Sequence, residues 1–216
     1  MNFKCLFTFL FILIFPILIF SESLEQKGYR LAVENDAHNS GYHSQKALIQ
    51  MILINSHGEQ TERKMLTMEK EGTTDGDLSL FEFIWPADVK GVKLLTHSHV
   101  AVDVSDDQWL YLPALGRIKR INSRNQTGSF QGSEFSYEDI AANDVDKFTY
   151  KFIRDDQIAS KNIWVSERYS INKKSGYSKQ VTYVDQETRL PLKIEYFDRK
   201  GDLLKVSIFS LKLTYE

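Results

Sequence analysis

The chain has 216 residues, with 27 Lys and Arg against 29 Asp and Glu and a formal net charge of -2. That balance excludes bulk nucleic-acid binding and strong attraction to an anionic membrane surface, so any basic surface has to be local. The single cysteine is Cys5, near the N-terminus, which leaves no disulfide, thiol nucleophile or thiolate metal site beyond it.

Met1 to Lys4 forms a short segment with one lysine, and Cys5 to Phe20 is almost purely apolar. Ser21-Glu22-Ser23 then offers small residues for cleavage near Ser23. This is the layout of a secretory signal peptide over residues 1–23. A membrane anchor would want about 20 uninterrupted apolar residues, and this run is shorter and contains Pro16. Cys5 stands at the start of the run, so it is no lipid-attachment cysteine at a cleavage site. Residues 24–216 are then long enough to hold one domain on its own core.

Leu24, Gly28, Leu31 and Ala32 share one helical face, which predicts a helix over Leu24 to Asn35. From there the period changes to two. Lys46 to Ile54, Glu59 to Lys70, Leu78 to Trp85, Val92 to Val102, Gln108 to Leu112 and Arg117 to Ile121 read as strands, punctuated by Asn, Gly and Pro turns. Ser136 looks like an N-cap, with Glu138 and Asp139 placed where a helix dipole favours acids. Lys147 to Arg154, Ile163 to Ile171, Tyr177 to Val184, Leu190 to Phe197 and Leu203 to Tyr215 are again strand-like. No linker, repeat or low-complexity run divides the chain. The fold class is therefore mostly β (α+β): one antiparallel sheet, long enough to curl, with one or two covering helices. The concave face of such a sheet is filled by side chains and a helix, or by a ligand.

Candidate chemistry is sparse. His97 and His99 are the only close histidine pair, and i, i+2 spacing on a strand puts both on one face. Zinc needs three or four ligands, and spacing identifies no third, so two polar histidines on a half-exposed strand is the plainer interpretation. Asp106-Asp107, Glu138-Asp139 and Asp155-Asp156 are adjacent pairs, which a strand points oppositely, so none is a ready acid–base dyad. Ser129 and Ser133 lack a nucleophile-elbow context. Asn125-Gln126-Thr127 matches a glycosylation sequon, relevant only to a eukaryotic secretory route. Nothing here marks an enzyme, a cofactor or a metal site. Arg117 and Lys119 fall on one strand face and Arg120 on the other, with Arg124 beyond. Such a run suits phosphate oxygens, or a charged edge strand guarded against aggregation. Trp109 and Tyr111 share one face of their strand, Leu110 and Leu112 the other.

The stretch Trp109-Leu110-Tyr111-Leu112-Pro113, then Arg117 to Ile121, then Gly128-Ser129-Phe130-x-Gly132-Ser133-x-Phe135-Ser136-Tyr137-Glu138-Asp139 resembles the LolA-like outer-membrane lipoprotein-sorting family. Pro86 to Gly91, Leu95 to His99, Gly176 to Val181 and Pro191 to Gly201 extend the likeness over residues 24–216. The resemblance implies a periplasmic, non-enzymatic protein with a strongly curved antiparallel half-barrel and helices over its mouth. Its relatives hold acyl chains of lipids or lipoproteins in the apolar concavity. Members often accompany exporters of the resistance-nodulation-division type, so an exporter or an outer-membrane acceptor is the expected partner of a monomeric carrier. An envelope protein-binding or sensor module with a self-filled core is the alternative. The family continues with further strands where this chain ends at Glu216, which implies a shorter or truncated sheet. Combining the likeness with the alternating faces, the expected acyl-lining residues are Trp85, Leu95, Trp109, Tyr111, Phe135, Tyr137, Phe152 and Trp164. Arg117, Lys119, Arg120 and Arg124 are the expected headgroup or docking surface.

Overall fold

The computed structural model describes residues 21–72, 74–122, 125–141 and 144–210. Residues 1–20 of the expected signal segment and the chain end at Glu216 lie outside the described residues, whereas Ser21 to Ser23 lie within them. Among the described residues one α-helix, α1 (Leu24–Asn39), is followed by eleven strands. Its start is set by a capping box. Ser23 accepts from the Gln26 backbone N–H at 3.1 Å, and the Gln26 side chain accepts from the Ser23 N–H at 2.9 Å. The helix runs one turn beyond the expected Asn35, because Asn39 and Ser40 side chains donate to the Asn35 and Asp36 carbonyls and satisfy its last turn. It buries Gly28 and Leu31.

The first six strands form one antiparallel sheet in sequence order: β1 (Ser44–Ile54), β2 (Gln60–Lys70), β3 (Leu78–Trp85), β4 (Lys93–His97), β5 (Asp107–Leu112) and β6 (Arg117–Ile121). Their inner face carries Met65, Phe83, Leu94, Leu110 and Ile121, all buried. Cross-strand partners such as Met65–Phe83, Phe81–Leu94 and Leu94–Leu110 keep these side chains on one side. β4 stops at His97, short of the expected Val102. The Ser98 N–H donates to the Asp77 carbonyl at 2.9 Å, outside the ladder, and the chain turns away.

The remaining strands build a second antiparallel sheet: β7 (Phe148–Ile158), β8 (Lys161–Ser170), β9 (Tyr177–Asp185), β10 (Pro191–Asp198) and β11 (Leu203–Ile208), in spatial order β11-β10-β9-β8-β7. The single curled sheet expected from the strand count is thus two sheets. The reason is the connection over residues 122–147, whose described residues do not continue the ladder past β6. It folds back onto the inner face of the first sheet and buries Phe130 and Ile140 there. The Phe130 ring lies 5.5 Å from Phe83 and 5.4 Å from Tyr137. The expected helix at Ser136 is one 3₁₀ turn, Tyr137–Asp139. Asp139 Oδ2 accepts from both the Ser136 N–H (2.6 Å) and its hydroxyl (2.9 Å), which closes the turn onto itself. α1 packs across β7, close enough that a Cβ on Gly28 would come within 2.8 Å of the Phe152 backbone N.

Candidate functional site

The inner face of the second sheet is set by β8 and its neighbours. Arg168 pairs with Tyr150 on one side and Gln180 on the other, and Gln180 pairs with Tyr196. These four side chains therefore face the same way, along with Phe148 and Ile194. Between this face, the 122–147 connection and the loop that follows β4 lies a cavity of about 860 Å³. Val102 to Asp106 form one wall, Phe135, Glu138 and Asp139 another, and Phe148, Arg168, Ile194 and Tyr196 the sheet side. That volume falls within the usual range for small-ligand sites. A recess of about 290 Å³ beneath α1 shares Arg168, Pro191 and Ile194 with it. Another, of about 350 Å³ along Met51, Met65 and Phe81 of the first sheet, shares Phe135, Asp139, Ala141 and Phe209. The shared residues place the three spaces next to one another, from the helix across to the first sheet.

Arg168 is the charged group at the junction. Its Nε donates to Gln180 Oε1 at 2.6 Å, and its guanidinium lies 4.7 Å from the Phe148 ring centroid. Among the described residues no carboxylate stands within ion-pair distance of it. Burial lowers its pKa, but arginine stays charged at neutral pH. A half-buried cation held by a neutral amide and an aromatic face is an attractive place for an anionic oxygen. Its neighbours are neutral phenols, since burial pushes Tyr150 and Tyr196 up to about 12.

The other charges near the cavity are already paired. Lys147 reaches Asp106 at 2.6 Å and Asp144 at 2.8 Å. Asp139, with 1% of its side chain exposed, meets Lys205 at 2.5 Å and accepts from the Tyr177 hydroxyl at 2.9 Å. Glu138 accepts from the Gly176 N–H at 2.9 Å, and burial raises its pKa. These contacts tie the connection from the first sheet to the start of β9 and to β11. They are structural bonds that hold the cavity wall in place.

The residues expected to line an acyl site do not come together. Phe135 borders the large cavity and Trp164 the recess beneath α1. Tyr137 packs on the first-sheet core and Phe152 is buried under α1, where Lys27 Nζ sits 3.5 Å from its ring centroid. Trp109, Tyr111 and Leu95 are on the face turned away from the core, where Trp109 pairs with Leu95 and Arg120. Leu110 takes the interior instead, opposite Leu94. Trp85 is 46% exposed at the end of β3. The acyl-lining expectation for Trp109 and Tyr111 is therefore corrected: both faces of β5 carry apolar residues, and the register gives the inner one to Gln108 and Leu110. Arg117, Lys119 and Arg120 are exposed on β6, the edge strand, and border none of the three cavities. Arg120 is paired with Asp107. Arg124 lies outside the described residues. Arg168 was missed because nothing local distinguishes Glu167-Arg168-Tyr169 from any polar strand. Its alternation with Ser166 and Trp164 was the available signal.

A family model described only as "Uncharacterized protein" matches residues 75–214, more than half of the chain. No curated protein matches. Among solved structures, an outer membrane lipoprotein-sorting protein domain from Vibrio parahaemolyticus is 41% identical with a TM-score of 0.80, over 88% of this chain and 80% of that one. A DUF1329 family protein from Desulfovibrio piger is 33% identical with a TM-score of 0.75, over 84% and 76%. A LolA superfamily protein from Nitrosomonas europaea, at 17% identity, shares the fold with a TM-score of 0.63 over 87% and 79%. The chain belongs to the family of the Vibrio outer membrane lipoprotein-sorting protein domain and the Desulfovibrio DUF1329 protein, and it shares its fold with the LolA superfamily protein.

Proposed function

We propose that this protein is a non-enzymatic periplasmic carrier that holds acyl chains of a lipid or lipoprotein between its two sheets, with Arg168 meeting an anionic oxygen of the cargo. The observation that carries this reading is the large cavity, which shares lining residues with two recesses and has in its wall a cation with no carboxylate at ion-pair distance among the described residues. Ten buried methylenes contribute roughly 8 kcal/mol at about 0.8 each. Association costs roughly 4–15 kcal/mol. Apolar burial alone is therefore marginal, and a charge-assisted contact at Arg168 decides whether the complex is tight. Periplasmic placement rests on the signal-like N-terminus and on the sorting role named for the Vibrio relative. Among the described residues no helix is long and apolar enough to cross a membrane. Loading from an exporter of the resistance-nodulation-division type and release to an outer-membrane acceptor complete the scheme that the family resemblance implies.

One observation favours the rival, a protein-binding envelope module. Phe130 and Ile140 already fill much of the first sheet's inner face. A native mass spectrum of the purified protein, followed by extraction of bound lipid, separates the two. The carrier reading expects a stoichiometric lipid or acylated peptide. After delipidation it expects uptake of a fluorescent fatty acid that weakens roughly 10- to 150-fold in Arg168→Met, the loss of a charged hydrogen bond worth about 1.5–3 kcal/mol. A lipid-free protein that takes up no fatty acid would overturn it and leave the self-filled module.

A further inference from the structure

His97 and His99 lacked a third ligand in the sequence. The fold supplies one from the loop between β2 and β3. Asp75 Oδ1 lies 3.1 Å from His99 Nδ1, and Asp75 Oδ2 lies 3.6 Å from His97 Nε2. The two imidazole centroids are 4.3 Å apart, and the three donor atoms lie within 4.8 Å of one another. With metal–ligand bonds of 2.0–2.1 Å, neighbouring donors in a tetrahedral zinc site stand about 3.3 Å apart. The two histidine–aspartate spacings lie on either side of that value and run to different oxygens of the Asp75 carboxylate, so the side chains stand near tetrahedral positions and close onto them when the ion binds.

Two further features separate this cluster from an ordinary surface ion pair. The first is the remaining nitrogen of His99. Nε2 lies 3.3 Å from Asp107 Oδ2, and Asp107 is held in turn by Arg120. A carboxylate on one imidazole nitrogen fixes the tautomer that leaves the other free for a metal. The second is the way Asp75 is positioned. Gly76 adopts φ +83°, and a Cβ there would come within 1.7 Å of the Ser98 carbonyl oxygen. The loop is thus pressed flat on the end of β4, and the Ser98 N–H donates to the Asp77 carbonyl at 2.9 Å. His97 Nε2 donates to the Asp75 backbone oxygen at 2.9 Å, which orients the ring over that residue and is the bond a metal at Nε2 would replace. Backbone geometry therefore brings the third ligand over the pair. The side chains of His97 and His99 are 26% and 15% exposed, that of Asp75 65%, so an ion can reach them from solvent.

The geometry points to a divalent metal site formed by Asp75, His97 and His99 on the outer face of the first sheet, with Asp107 as the positioning residue behind His99. Two imidazoles and one carboxylate suit zinc or a neighbouring transition cation, and disfavour magnesium and calcium, which prefer all-oxygen shells. Three protein donors leave a fourth position open to water or to a ligand atom. The ion would clip the β2–β3 loop to the β4–β5 connection, whose next residues, Val102 to Asp106, wall the large cavity. The site stands whether or not that cavity carries lipid.

The test is zinc titration of the full-length protein, expressed without a histidine tag and stripped with chelator, followed by calorimetry and native mass spectrometry. One equivalent should bind at micromolar concentration or tighter, and cobalt should bring up the visible absorption of a tetrahedral site. Asp75→Asn, His97→Ala and His99→Ala should each weaken binding at least tenfold, and Asp107→Asn about 10- to 100-fold through loss of the imidazole's partner. His57→Ala, in the β1–β2 turn, should leave binding unchanged. Far-ultraviolet circular dichroism checks that each variant is folded. No zinc bound at 100 µM added metal would overturn the assignment, about one equivalent retained at full affinity in all three ligand variants would do so equally.

Discussion

Asp139→Asn removes the charge that ties the connection to the second sheet, and the structure sets the size of the effect. The carboxylate is 1% exposed and Lys205 is 9% exposed. Besides Lys205, it accepts from the Ser136 N–H and hydroxyl and from the Tyr177 hydroxyl. Taking away one partner of a buried pair costs about 3–5 kcal/mol, because the other charge is left without compensation. Lys205 keeps some support: Nζ donates to the Glu134 carbonyl at 2.7 Å and lies 4.7 Å from the Tyr196 ring and 5.2 Å from that of Tyr177. The loss should therefore sit near 3 kcal/mol, the lower end. In a chain of this size each kcal/mol moves Tm by roughly 2–4 °C, so a drop of roughly 6–12 °C follows. Urea unfolding followed by circular dichroism should show a lower midpoint with an unchanged slope. The double variant Asp139→Asn, Lys205→Met should recover much of the loss, because no charge is then stranded. A single-variant loss below about 1 kcal/mol, or strictly additive effects, would refute the claim that this pair holds the 122–147 connection to the second sheet.

Two further outcomes follow from the packing and electrostatics. Alanine in place of glycine inside a helix ordinarily stabilises by about 1 kcal/mol. At Gly28 the new Cβ would stand 2.8 Å from the Phe152 N and 3.0 Å from two Lys151 backbone atoms, none of which can rotate away. Overpacking of this kind costs about 1–3 kcal/mol. Gly28→Ala should thus lower the urea midpoint, and a raised midpoint would show that α1 does not pack on β7 this closely. Glu138 gives a pH dependence. Burial, the largest cause, raises its folded-state pKa above the usual 4.5. The folded chain then holds this proton more tightly than the unfolded one. Its contribution to stability falls as pH rises from about 4.5 through the raised value. Glu138→Gln keeps an oxygen for the Gly176 N–H and removes the titration. The variant should lose this downward slope when unfolding midpoints are compared from pH 4 to 8, and an unaltered slope would place the titration elsewhere.

The strands were legible because their information is local. Period-two alternation located all eleven, and Asn55 to Gly58 and Asp198 to Gly201 marked hairpin turns that the structure contains. The likeness of the Trp109 to Asp139 stretch to lipoprotein-sorting proteins led to the correct family. Alternation says that neighbouring residues face opposite ways; it does not say which way is inward. On β5 both faces are apolar, and only pairing of Leu110 with Leu94 decided that Trp109 faces out.

The sequence by itself determined the strand pattern, the N-terminal helix and the family, since each is written in short spans of side-chain chemistry. Tertiary structure alone decided how those spans combine. It split the strands into two sheets, because the connection after β6 turns back to bury Phe130 on the inner face of the first sheet and adds no strand beside β6. It turned Arg168 into the cation of a cavity, because strands distant in the chain enclose it. It laid Asp75 over His97 and His99 because Gly76 lets one backbone lie directly on another. Sites made of distant residues depend on register and loop path, and no single span of sequence contains either.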